Sequence, residues 1–166
     1  LRALVADLRD RGKVDLRESF IDGSFAGAKK EALELENERG KGSKIMAIAD
    51  RHGLPIGISV ASASPHETKL VETTLEQRFT KKVPPLIIGD KAYDSDPLDQ
   101  KLKKKYGVEL VAPHKENRSK PRTQEPELEL DDLGDIGGVV ADALQVLGDE
   151  QEVGRALDLG GLVSAF

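Results

Sequence analysis

The chain of 166 residues has no cysteine and no tryptophan, one methionine, and only 4% aromatic residues. Without cysteine it can form neither disulfides nor thiolate metal sites, which suits a cytoplasmic protein. It has no apolar run near the ~18 residues of a membrane span and no visible secretory signal. It also lacks an initiating methionine: the first residue is Leu1, which reads as a fragment whose start is missing. The length suits one domain with little room for a second.

Positive charge is nearly missing from the last quarter. Residues 125–166 hold one base, Arg155, against 11 acids, whereas residues 1–124 hold 24 Lys+Arg against 19 Asp+Glu. Such a split points to different partners or different histories for the two parts. The first part suits a polyanion, and the second would be repelled by one.

What is present is a regular alternation of short apolar runs and turn signals. Leu1, Leu4, Val5 and Leu8 fall at helical spacing and Gly12 stops the run, so residues 1–13 read as the end of a linker helix. Residues 17–25 are the first strand candidate, with Phe20, Ile21 and Phe25 around Asp22-Gly23-Ser24. Residues 28–41 read as a loop. Residues 44–49 and 54–62 are two strands joined by the turn Asp50-Arg51-His52-Gly53.

Ser64-Pro65-His66-Glu67 is expected to open a helix, with serine as N-cap, proline in the first turn and glutamate closing a capping box. Leu70, Val71, Thr74, Leu75 and Phe79 give that helix an apolar stripe. Residues 86–90 form an unbroken apolar strand, as suits one covered on both faces. Asp96-Pro97 repeats the cap-then-proline signal for a helix to about Lys105, and residues 108–112 make a last short strand. The order is that of an antiparallel three-strand meander joined to parallel strands by crossover helices, a mixed α/β sheet. The tail, residues 123–166, is expected to be poorly ordered or an out-of-frame reading.

Asp22 and Asp90 each end, or nearly end, a predicted strand, 68 residues apart. If the first and fourth strands are parallel neighbours, both carboxylates leave the sheet at one rim. Two such groups repel unless a divalent cation lies between them, and Mg²⁺ takes hard oxygens of this kind. Solvated strand ends or turn caps are the plainer account of two aspartates. The same plain account fits Asp94 and Asp96 as capping residues, His66 as a surface histidine, and Lys101 with Lys103 to Lys105 as a solvated helix end.

Three segments carry more. Ile21-Asp22-Gly23-Ser24-Phe25, then Ile87-Ile88-Gly89-Asp90-Lys91-Ala92-Tyr93-Asp94-Ser95, then Val111-Ala112-Pro113-His114-Lys115-Glu116-Asn117-Arg118 resemble the core of bacterial insertion-sequence transposases of the DDE class, most closely the insertion-sequence-five group. Gly-Asp-Lys-Ala-Tyr-Asp-Ser is specific; Asp-Gly-Ser alone is not. The resemblance covers residues 15–122, and it implies a ribonuclease H-like fold for residues 14–122. It further implies that Asp22 and Asp90 are catalytic and bind Mg²⁺, with Mn²⁺ able to substitute. Cleavage and strand transfer would follow at insertion-sequence ends, with double-stranded DNA as partner, no membrane, and a homo-oligomer in the intact protein. Lys91, Tyr93, His114, Lys115 and Arg118 then become DNA-binding candidates: the cations for phosphates and Tyr93 for stacking on a base or sugar; the plainer account of them is a solvated lysine, a tyrosine packed over the helix start and a basic loop in solvent.

The family's third acid, a glutamate in a basic, aromatic helix after the last strand, has no counterpart here. Glu125, Glu127 and Glu129 have neither arginine nor aromatic beside them. Two rival readings follow: a catalytically dead, DNA-binding remnant of the same fold, and an unrelated metal-dependent phosphohydrolase. Ser24, standing where an aspartyl phosphatase needs a second aspartate, argues against the latter.

Overall fold

The structure, a computed structural model, describes residues 12–27, 42–116 and 138. The expectations for residues 1–11, for the loop at 28–41 and for the acidic tail lie outside the described residues, Gly138 excepted.

The first strand, β1, runs Ser19–Gly27. It is followed by β2 (Gly42–Asp50) and β3 (Pro55–Ser62). The turn between β2 and β3 is built by one buried carboxylate. Asp50 accepts the N–H groups of His52 and Leu54 on Oδ1, both at 2.9 Å, and that of Asp15 on Oδ2, also at 2.9 Å. Gly53 supplies the positive φ of 77° that the turn needs.

After β3 comes a 3-10 turn, Glu67–Lys69, and then the helix α1, Val71–Glu76. The expected capping box is not formed. Lys44 Nζ takes both the Pro65 carbonyl (3.2 Å) and the Glu67 carboxylate (3.3 Å), so Glu67 turns toward β2 instead of back to Ser64. His66 caps the 3-10 turn, its Nδ1 accepting the Thr68 N–H, and α1 itself starts only at Val71, with no side-chain cap. Gly57 lets α1 settle on β3: a Cβ there would lie 3.1 Å from the Thr74 carbonyl oxygen.

The strand β4 (Leu86–Gly89) leads through a second 3-10 turn, Lys91–Tyr93, into α2 (Asp96–Tyr106) and then β5 (Glu109–Val111). The cap of α2 is Ser95, not Asp96. The Ser95 carbonyl accepts from Leu98 and Asp99, and Pro97 sits in the first turn, where its missing N–H leaves no bond unmade. Gly107 ends the helix in the left-handed conformation, φ 69°.

The strands form one sheet in the order β3-β2-β1-β4-β5. β1–β2 and β2–β3 are antiparallel; β1–β4 and β4–β5 are parallel. This is the mixed α/β sheet that the sequence led us to expect, an antiparallel three-strand meander continued by two parallel strands. Ile21, Met46, Ile48 and Ile87 share the main core with Leu70, with Val71 and Leu75 of α1, and with Leu98 and Leu102 of α2. Ile45, Ala47 and Ile58, with Phe20 and Phe79, form a smaller cluster. Phe79 therefore joins the core, but from beyond the end of α1.

The two helices are tied by Glu72, which receives Lys105 Nζ at 2.8 Å, the Tyr106 hydroxyl at 3.1 Å, and Lys101 Nζ. Lys101 and Lys105 are thus partnered side chains on a helix face. Among the described residues no helix is long and apolar enough to cross a membrane.

Candidate metal centre

The parallel pairing of β1 with β4 runs Ser19↔Ile87, Phe20↔Ile88, Ile21↔Gly89. The residue after each member of that last pair is an aspartate: Asp22 within β1, and Asp90 just past the end of β4. Neighbouring strands lie about 4.8 Å apart, and strand alternation sends paired residues off on the same side. Sixty-eight residues of separation thus close to one strand spacing at the C-terminal rim of β4. Asp90 keeps an extended backbone (φ −72°, ψ 179°) and caps the following 3-10 turn, its Oδ1 accepting the Ala92 N–H at 2.8 Å. Asp22 Oδ1 accepts the Gly23 N–H at 2.8 Å. Each carboxylate is therefore aimed by a backbone donor. Among the described residues the second oxygen of each has no hydrogen-bond partner.

Electrostatics agree with this placement. Burial pushes the Asp22 carboxyl above the ordinary aspartate value, and the negative charges of Asp90 and Glu67 push it further the same way, against the pull of the Gly23 N–H. Glu67 is the acid that sequence reasoning missed, having been assigned to a capping box. It lies against the β1 backbone one residue along from Asp22: a Cβ on Gly23 would sit 3.4 Å from Glu67 Cγ and 2.7 Å from Met46 Sδ. Its Lys44 partner was visible in the sequence only as a strand residue. Among the described residues no group of three or more His, Asp or Glu side chains is arranged to hold a metal ion.

Lys91 is exposed directly after Asp90. Tyr93 is a correction to the sequence reading. Its ring is completely buried, packed against Gly89 and within the main core, so it offers no face to a base or sugar. Burial raises its phenol, helped by the charges of Glu67, Asp22 and Asp90, and among the described residues its hydroxyl has no hydrogen-bond partner. Asp94 caps the end of the 3-10 turn Lys91–Tyr93 with its backbone N–H, and its buried carboxylate, which the sequence reading did not place, reaches across to the segment leaving β5. There Oδ2 accepts the Lys115 N–H at 2.9 Å and Oδ1 lies 3.3 Å from His114 Nδ1. His114 and Lys115 are half-buried beside the centre; Arg118 lies outside the described residues.

The family of the transposase DDE domain matches residues 15–143, and the chain belongs to that family. No curated protein matches it. Among solved structures, the Mos1 strand transfer complex aligns at 12% identity and TM-score 0.39, over 68% of this chain and 39% of that one. The Mos1 transposase paired-end complex with left transposon end aligns at 12% identity and TM-score 0.41, over 99% and 53%. The Mos1 mariner paired end complex with Mn aligns at 13% identity and TM-score 0.40, over 99% and 54%. This chain therefore spans about half or less of the length of those proteins.

Proposed function

We propose that the chain carries the catalytic core of a DNA transposase of the insertion-sequence-five type, with Asp22 and Asp90 holding Mg²⁺, or Mn²⁺ in its place, for phosphodiester cleavage and strand transfer at insertion-sequence ends. Family membership supports the reaction class. The observation that carries the site is the register Ile21↔Gly89, which makes neighbours of the two aspartates. The donor set fits the ion. Both groups are hard oxygen ligands, each is oriented by one backbone N–H, and Asp22 is a carboxyl whose charge is disfavoured until a cation balances it.

A bound divalent ion would supply Lewis acidity at the phosphate and a more acidic water. The chain's own residues do the rest. The Gly23 and Ala92 N–H groups fix the two carboxylates, and exposed Lys91, next to Asp90, meets a phosphate of the DNA backbone. Water and then a DNA 3′-hydroxyl are the nucleophiles. Double-stranded DNA is the partner, and the intact protein works as a homo-oligomer.

A second reading, DNA binding without cleavage, rests on the sequence: Glu125, Glu127 and Glu129, which follow the last strand, have neither arginine nor aromatic beside them. The test is incubation of the chain with Mn²⁺ and a duplex ending in the terminal repeat of its own element. Metal-dependent nicking at the repeat boundary, lost in both Asp22→Asn and Asp90→Asn, is the expected result. Salt-sensitive binding with no nicking would leave the non-catalytic reading standing. Nicking that survives both substitutions would end the metal-centre proposal.

A further inference from the structure

Asp90 does not stand alone on its turn. Its carboxylate is held by the Ala92 N–H, and the carbonyl of that same Ala92 is held in turn: Lys115 Nζ donates to it at 3.4 Å and to the Asp94 carbonyl at 3.3 Å. Lys115 is itself fixed by the Asp94 carboxylate, whose side chain is only 2% exposed and which accepts the Lys115 N–H at 2.9 Å while His114 Nδ1 lies 3.3 Å away. Lysine rarely gives up solvent to contact carbonyl oxygens. Here its ammonium meets two of them in the turn that aims Asp90, and a buried carboxylate anchors its backbone.

We propose that Asp94 and Lys115 form a positioning pair for Asp90. The pair clamps the turn Lys91–Tyr93 from the far side, so that the Ala92 N–H stays where the Asp90 carboxylate needs it. Both act on Asp90 through Ala92 and not through the ion. The inference deepens the metal-centre reading and rests on it for its functional meaning, but the clamp itself has a signature that needs no metal. Partners that orient ligands from outside the coordination sphere typically change metal affinity about 10–100-fold.

The experiment uses the 166-residue chain labelled with ¹⁵N, comparing wild type with Lys115→Met, Lys115→Arg and Asp94→Asn. Amide exchange is read at Ala92 and, as a control for global stability, at Met46 in the centre of β2. Mn²⁺ affinity is read by water-proton relaxation. Lys115→Met and Asp94→Asn are expected to lower Ala92 protection and Mn²⁺ affinity each about tenfold with Met46 protection unchanged, and Lys115→Arg to restore most of both. Unchanged Ala92 protection in Lys115→Met overturns the clamp, as does a loss at Ala92 matched by an equal loss at Met46. A wild-type chain that binds no Mn²⁺, yet whose Ala92 amide responds to Lys115, sinks the metal reading and leaves the clamp in place.

Discussion

Gly89 is the last residue of β4, and the space for its missing side chain is already filled. A Cβ built there would lie 2.7 Å from Tyr93 Cδ2, 2.9 Å from Tyr93 Cγ and 3.2 Å from Ile21 Cγ2. Carbon contacts are comfortable at about 3.5–4.0 Å, so Gly89→Ala leaves about 1 Å to be absorbed. Neither neighbour can give way easily. Both are completely buried in the main core, and Tyr93 belongs to the turn that Asp90 begins. Overpacking of this kind costs about 1–3 kcal/mol, and the lower chain entropy of alanine returns about 0.4–1 kcal/mol. We expect a net loss of about 1–2 kcal/mol, a melting point lower by roughly 5–10 °C in a domain of this size. Because the ring must move, and the turn with it, Mn²⁺ binding should weaken beyond what the lost stability explains. Thermal and urea unfolding, with Mn²⁺ titration, measure both. Combining Gly89→Ala with Tyr93→Leu, which takes away the ring, should recover part of the loss as a coupling energy. A Gly89→Ala chain as stable as wild type, or strictly additive effects in the double variant, would refute the steric account.

Two further predictions concern charge. Asp22 has its folded pKa raised, first by burial and then by Asp90 and Glu67. Its favourable contribution is therefore whole below the ordinary carboxyl value of 3.8 and is lost as pH rises through the higher folded value. Asp22→Asn should melt a few degrees above wild type at neutral pH, lose that advantage in acid, and fail to gain stability from added Mg²⁺; a wild type that melts higher without metal at neutral pH would contradict this. Glu72 has the opposite sign. Hydrogen bonds from Lys101 and Lys105 hold it down to about 2 from 4.5, so its contribution is whole above about pH 4.5 and fades as pH falls through about 2. Glu72→Gln should cost about 1 kcal/mol at pH 7 in urea unfolding, a discounted figure because both lysines are largely exposed. The gap from wild type should close in strong acid, and a gap that persists there would mean the loss is one of packing.

The segments most exposed to misreading were those where a side chain had a choice of partners. The strands were legible because alternation and unbroken apolar runs leave few other ways to bury Ile21, Ile48, Ile56 and Ile87. The turn from Asp50 to Gly53 was legible because few residues besides glycine tolerate the positive φ at Gly53. The start of α1 was misplaced because Glu67 fits a capping box or a lysine equally well on paper, and the distant Lys44 decided between them. Tyr93 was read as a DNA-stacking residue because a tyrosine beside a catalytic-looking aspartate carries no mark of burial. The vacancy at Gly89 that admits its ring shows only in three dimensions.

By itself, then, the order of residues determined the strand and helix alternation, the two aspartates at strand ends, and the family that the motif around Asp90 belongs to. Local periodicity and turn chemistry are properties of neighbours in the chain. Only the tertiary structure decided that Asp22 and Asp90 share a rim, that Glu67 presses on Asp22, and that Asp94 and Lys115 brace the turn beneath Asp90. Each of those is a meeting of residues at least 21 positions apart, except within the turn itself. Such meetings are set by sheet register and by which buried groups must find a partner, and neither is written in any one segment.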